Sequence, residues 1–81
     1  MSDIKIPEGE RDLREVVWEN LEKYRKLKGM SQLELCKLVV YDHIQYSKNK
    51  KKPVSINYPV LQRFAYYLEI NTIDLFEDWS E

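Results

Sequence analysis

Cysteine is nearly missing from this 81-residue chain, with Cys36 standing alone. One thiol forms no internal disulfide, so packing must hold the fold, and a reducing, cytoplasmic setting is expected. Glycine and proline are scarce, at two and three residues, too few for a low-complexity or disordered chain. No run of 18 apolar residues occurs, so no membrane partner is expected. Met1-Ser2-Asp3-Ile4-Lys5-Ile6-Pro7 has no basic region leading into an apolar stretch, and a secretory leader is not expected. His43 is the single histidine, and a metal site needs companions that the sequence does not supply. No phosphate-binding glycine loop or Cys–His arrangement is present. The paired carboxylates Glu77 and Asp78 belong to a tail that water should reach. The expectation is therefore a protein that is not an enzyme, without metal, cofactor or small-molecule ligand.

What is there points to one small globular domain. Hydrophobic residues make up 43% of the chain, enough for a modest core. The net charge of −1 conceals a partition along the sequence. Residues 1–22 hold three bases against seven acids, a net of −4. Residues 23–63 hold ten bases against two acids, a net of +8, and residues 64–81 hold five acids and no base. A sorted charge of this kind makes a local field that attracts a polyanion although the total is near zero. The competing reading of Lys48, Lys50, Lys51 and Lys52 is a lysine-rich loop that keeps a small domain soluble.

The pattern predicts five helices after a loose arm, residues 1–10. The first runs from about Arg11 to Lys28. Leu13, Val17, Leu21, Tyr24 and Leu27 recur every three or four residues and share one face. Val16 and Trp18 lie off that stripe, and the tryptophan needs a second contact surface, either the arm or another subunit. Gly29 ends the helix in the left-handed conformation. Ser31-Gln32-Leu33-Glu34 is a capping box opening a second helix. Its Leu35, Leu38 and Val39 face the core, and Cys36 reads as a small buried hydrophobe. A third, short helix follows Asp42, a good N-cap, and reaches about Asn49. Val39-Val40-Tyr41 and Ile44-Gln45-Tyr46 also suit a strand. Lys50-Lys51-Lys52-Pro53 reads as a basic loop. A fourth helix starts near Asn57, with Ser55 as the alternative cap and Pro59 in its first turn. It buries Val60 or Leu61, Phe64, Ala65 and Leu68. A last short helix from Asn71 or Thr72 carries Ile73, Leu75 and Phe76. An acidic tail ends the 11–81 domain.

Two segments, Gly29-Met30-Ser31-Gln32-Leu33-Glu34-Leu35-Cys36 and Ala65-Tyr66-Tyr67-Leu68-Glu69-Ile70-Asn71-Thr72-Ile73-Asp74-Leu75-Phe76, stand in an order and spacing similar to the lambda-repressor-like helix-turn-helix (XRE) family. The resemblance spans about residues 14–76. It implies an all-α, compact five-helix fold whose third helix enters the DNA major groove. Carried over by position, His43, Ile44, Gln45 and Lys48 would read bases. Gln45 suits adenine, Lys48 guanine, and Ile44 a thymine methyl. Gln32, Ser47, Lys50, Lys51 and Lys52 would meet the DNA backbone. The chain departs from the family pattern at four places. Val40 stands where glycine is usual, implying either a remodelled turn or strain. Tyr46 replaces an aliphatic core residue, and Asn49 replaces a large apolar one. Lys50 replaces the acid that pairs with the first-helix arginine, so Arg25 needs another partner.

The resemblance implies a sequence-specific, duplex-DNA-binding regulator of phage or mobile-element repressor type, acting as a homodimer. Trp18, Phe76 and Trp79 are the dimer-interface candidates, or else they cap the core. The alternative is a protein-interaction module on the same scaffold, an antirepressor or antitoxin-like partner. Single-stranded nucleic-acid binding by Tyr41, Tyr46 and the lysines is a third reading.

Overall fold

The computed structural model describes residues 5–79. Residues 1–4 and 80–81, the outer ends of the expected arm and acidic tail, lie outside the described residues. Four α-helices appear: α1 Leu13–Leu27, α2 Gln32–Val39, α3 His43–Lys51 and α4 Tyr58–Leu68. The expected fifth is a 3-10 helix, Thr72–Phe76, and no strand occurs among the described residues.

Side chains cap the four α-helix starts. The Asp12 carboxylate accepts from the Arg14 amide at 2.9 Å. Both halves of the α2 capping box form: the Glu34 amide donates to Ser31 Oγ at 3.0 Å, and the Ser31 amide donates to Glu34 Oε1 at 2.8 Å. Asp42 caps α3 through the Gln45 amide at 2.9 Å. Asn57, not Ser55, caps α4 through the Val60 amide. Each cap satisfies a donor that the helix itself leaves open.

Three of these helices end on a left-handed residue, and one of the three is glycine. Gly29 has φ +75°, Val40 φ 62° and Glu69 φ 60°. In each case the next amide reaches back five residues: Met30 to the Arg25 carbonyl, Tyr41 to Cys36 and Ile70 to Ala65, at 3.1, 2.9 and 3.0 Å. That bond is the signature of a Schellman closure. The turn at Val40 is therefore not remodelled. A β-branched residue occupies the conformation that glycine adopts without steric cost.

The core joins Val17, Trp18 and Leu21 of α1, Leu35, Cys36 and Val39 of α2, Tyr46 of α3, Leu61, Phe64, Ala65 and Leu68 of α4, and Leu75. Several sequence expectations need correction here. Trp18 is 1% exposed, and its Nε1 donates to the Val54 carbonyl at 2.9 Å. It belongs to the core and offers no surface to a second chain. Leu13 and Leu27, assigned to the buried stripe, are exposed at the two ends of α1. The reason is that α1 packs against α3, α4 and the terminal 3-10 helix together. Its buried arc is broad in the middle, taking in Val16 and Trp18, and gone at the ends. Leu38 and Ile73 are likewise exposed, while Leu75 is fully buried. Lys50 and Lys51 lie in the last turn of α3 rather than in a loop.

Polar groups also tie the bundle. Asn20 is buried, and its Nδ2 donates to the carbonyls of Leu75 and Glu77 at 2.9 and 2.8 Å. This amide fastens the terminal segment to α1. Burying it is favourable only because both its hydrogens find acceptors.

Candidate nucleic-acid interface

Side-chain hydrogen bonds hold the α2–turn–α3 unit in place. Arg63 Nε of α4 donates to the Val39 carbonyl at 3.0 Å, satisfying an open group at the end of α2. Ser47 Oγ donates to Gln32 Oε1 at 3.2 Å, linking α3 to the first residue of α2. Asn49 Nδ2 donates to the Tyr41 hydroxyl at 2.9 Å, so the asparagine found in place of an apolar residue pairs with the turn.

One side chain of α3 is buried, Tyr46. Its ring sits edge-on to Trp18 with centroids 5.1 Å apart and lies near Phe64 and Tyr41 at 6.1 and 6.2 Å. Burial of such a ring is worth about 2–3 kcal/mol. The seat of Tyr46 also fixes which way the rest of α3 faces. At about 100° per residue, Ile44, Lys48 and Lys51 fall within about 40° of the direction opposite Tyr46. All three are exposed, Ile44 at 66%. Gln45 and Ser47 lie on the flanks of that ridge, Gln45 exposed and Ser47 half-buried. His43 is exposed in the first turn, and Lys52 just past the helix. Asn49 and Lys50 lie on the inner side and are half-buried.

Beneath α3 is a charged cluster centred on Glu22 of α1, a residue that the sequence reading passed over. Arg25 donates to it through Nε at 3.0 Å and Nη2 at 2.8 Å, and the Tyr46 hydroxyl donates to Oε2 at 2.8 Å. Lys50 Nζ lies 3.5 Å from Oε1. Burial works to raise the Glu22 pKa. The hydrogen bonds from Arg25 and Tyr46 and the charges of Arg25 and Lys50 outweigh it, holding the carboxyl at about 2. Arg25 Nη1 also donates to the Met30 carbonyl at 2.6 Å. Arg25 thus finds its acid on its own helix, three residues back. The signal was present in the sequence as an i,i+3 acid–base pair.

Of the residues assigned to dimerisation, Phe76 is half-buried against the core. Trp79 is exposed, with Lys23 Nζ 3.9 Å from its ring centroid. An apolar groove with a volume of about 460 Å³ runs between α1 and the start of α4, lined by Leu13, Ile56, Tyr58, Leu61 and Phe76 among others. The Cys36 thiol is buried, and burial pushes its pKa up to about 11, so it is an inert packing group. Among the described residues no group of three or more His, Cys, Asp and Glu is placed to hold a metal. No described helix is long and apolar enough to cross a membrane.

The same arrangement of helices occurs in solved structures. The hypothetical transcription factor NHTF from Neisseria matches over 98% of this chain and 90% of its own, with a TM-score of 0.78 and 26% identity. A chain of the nucleoprotein complex C.Esp1396I matches over 83% of this chain and 87% of its own, with a TM-score of 0.71 and 24% identity. The fold is helix-turn-helix. No protein-family model matches the chain, and no curated protein matches it.

Proposed function

We propose that this chain is a sequence-specific regulator of transcription that binds duplex DNA as a homodimer in the cytoplasm, of the lambda-repressor-like (XRE) type and acting as a repressor. The observation that carries this reading is the outward ridge of α3. One inward side chain seats the helix, so Ile44, Lys48 and Lys51, flanked by Gln45, stand clear of the bundle. A helix presented this way fits the major groove. Exposed Lys48, Lys51 and Lys52, on and just past this helix, bring positive charge to the same side. The likeness to a hypothetical transcription factor and to a chain from a nucleoprotein complex supports the same reading.

In this assignment His43, Ile44, Gln45 and Lys48 read bases. Gln32, Ser47, Lys51 and Lys52 face the sugar-phosphate backbone. Phe76 and Trp79 are the remaining dimer-contact candidates, and a two-fold dimer would read half-sites about one helical turn apart. An altered turn at Val40 and an aromatic Tyr46 in place of an aliphatic residue would favour the alternative, a protein-interaction module. Val40 keeps the glycine-like backbone and Tyr46 fits the core, so both features are compatible with groove binding. Stacking of single strands on Tyr41 and Tyr46 is disfavoured, since Tyr46 is buried and Tyr41 is half-buried against the core.

Selection of bound sequences from a random duplex library tests the function. The expected result is a two-fold-symmetric site. Failure of the chain to retain any duplex at low salt would overturn the assignment in favour of the interaction module.

A further inference from the structure

The lysines of α3 are not equivalent. Lys48 and Lys51 project from the outer ridge and make no ion pair among the described residues. Lys50, beside Lys51 in sequence, turns inward, and its side chain is 27% exposed. Its Nζ lies 3.5 Å from a Glu22 oxygen that Arg25 also engages, at 2.8 Å. The second Glu22 oxygen is held by Arg25 Nε and the Tyr46 hydroxyl. With three hydrogen bonds fixing it, this carboxylate cannot follow Lys50 toward solvent. For Lys50 to meet a phosphate it must leave Glu22.

We propose that Glu22 is a positioning residue that sets how much charge α3 brings to DNA: it orients the helix through Tyr46 and holds Lys50 off the phosphates. The inference rests on the DNA-binding reading above. Each lysine that reaches a phosphate tightens binding to every sequence alike. Discrimination is the ratio between the selected site and all others. Withholding one lysine lowers the affinity for all sequences and its salt dependence, and leaves that ratio unchanged. The Lys50 side chain spans from α3 back to α1, so the device also couples the end of the reading helix to the bundle.

Salt dependence tests this on the full chain with two probes, an operator-length random-sequence duplex pool and the duplex selected from it. The slope of log affinity against log salt falls by about 0.9 for each phosphate that a lysine ceases to neutralise. Lys51→Gln is expected to reduce the steepness by about that amount on both probes. Lys50→Gln is expected to leave it unchanged. Glu22→Gln keeps an oxygen for the Tyr46 hydroxyl and frees Lys50. It should steepen the slope by about 0.9 and tighten binding to both probes by the same factor, leaving the gap between them unchanged. The double change Glu22→Gln with Lys50→Gln should return the slope to that of the unaltered chain, which a purely structural role for Glu22 would not do. If Lys50→Gln flattens the slope as much as Lys51→Gln, or folded Glu22→Gln leaves it unmoved, the inference is overturned. Should Glu22→Gln not fold, the comparison of Lys50→Gln with Lys51→Gln decides the matter alone. If the unaltered chain binds neither probe, the DNA-binding reading fails, and this inference falls with it.

Discussion

The Tyr46 hydroxyl donates to Glu22 at 2.8 Å, joining the one buried side chain of α3 to the middle of α1. Burial pushes the phenol pKa up, and the bond to Glu22 pushes it the same way. Both favour the protonated hydroxyl, the form that donates to Glu22. The ring supplies burial and the hydroxyl supplies direction.

Tyr46→Phe separates those contributions. The ring stays in its cage of Trp18, Tyr41 and Phe64, while the half-buried carboxylate loses one donor. A loss of about 1–2 kcal/mol in unfolding free energy is expected from urea titration. Tyr46→Ala, which also empties the cage, should cost about 3–5 kcal/mol. Equal losses for the two variants would mean that the ring contributes nothing, contrary to its complete burial.

Acid should unfold this protein through the same cluster. Glu22 titrates at about 2 in the fold against an ordinary value of 4.5. A carboxyl held low in the native state binds fewer protons than in the unfolded chain. Its stabilisation is complete above about pH 4.5 and is lost as pH falls toward about 2. Asp12 beside Arg14, Glu19 beside Arg11 and Glu34 at the Ser31 amide are held low as well and share the acid limb. Glu22→Gln should therefore lower stability at neutral pH by about 2 kcal/mol and make the fall between pH 4.5 and 2 shallower. Thermal melts across that range check both. An unchanged acid limb in the variant would show that Glu22 is not held low.

The turn at Val40 stores strain that glycine would release. A left-handed conformation costs an ordinary residue roughly 1–2 kcal/mol, and Val40 is 82% exposed, so its side chain gains little packing. Glycine has its own entropy cost in the unfolded chain, about 0.5–1 kcal/mol. Val40→Gly should still stabilise the fold by up to about 1 kcal/mol, a rise in Tm of about 4–8 °C for each full kcal/mol. Gly29→Ala runs the other way. A methyl there meets nothing within 4 Å, so the loss of about 1 kcal/mol is pure backbone cost. Calorimetry on the pair checks the opposite signs.

Caps and amphipathic stripes made α2 and α4 legible from sequence, because local rules decide both. Ser31-Gln32-Leu33-Glu34 names its own helix start, and Leu61, Phe64, Ala65 and Leu68 repeat at helical spacing. The interior of α3 was harder to read. With one buried residue among nine, it offers no periodicity, and its C-terminal lysines read as loop. Trp18 was misplaced because a single stripe cannot describe a helix packed on several sides. Asn20 gave no signal, since its partners are carbonyls more than 50 residues away in sequence. Glu22 was hidden by its ordinary appearance. An acid among the many of the first 22 residues becomes special only when Tyr46 and Lys50 arrive from α3. Ile44, Gln45 and Lys48 are exposed on α3. The inward turn of Lys50 is set by Glu22, a partner on another helix 28 residues back in the chain.

Base reading and backbone contact make different demands, and Gln45 against Lys51 and Lys52 separates them. The Gln45 amide nitrogen of the main chain is fixed by Asp42 at 2.9 Å, while its side chain is exposed near the start of α3. A glutamine so placed can pair bidentately with adenine, which is worth about 1–3 kcal/mol against the wrong base. Gln45→Ala should therefore weaken binding to the selected duplex by that amount, relax preference at one position in each half-site and leave the salt slope alone. Lys51→Ala and Lys52→Ala carry no base information. Each should weaken all sequences nearly uniformly and reduce the salt slope by about 1. Repeating the library selection with each variant measures preference, and titration in salt measures charge. If Gln45→Ala altered the slope while the lysine variants altered the preferred sequence, the ridge of α3 would be docked the wrong way round, and the roles given to its two ends would have to be exchanged.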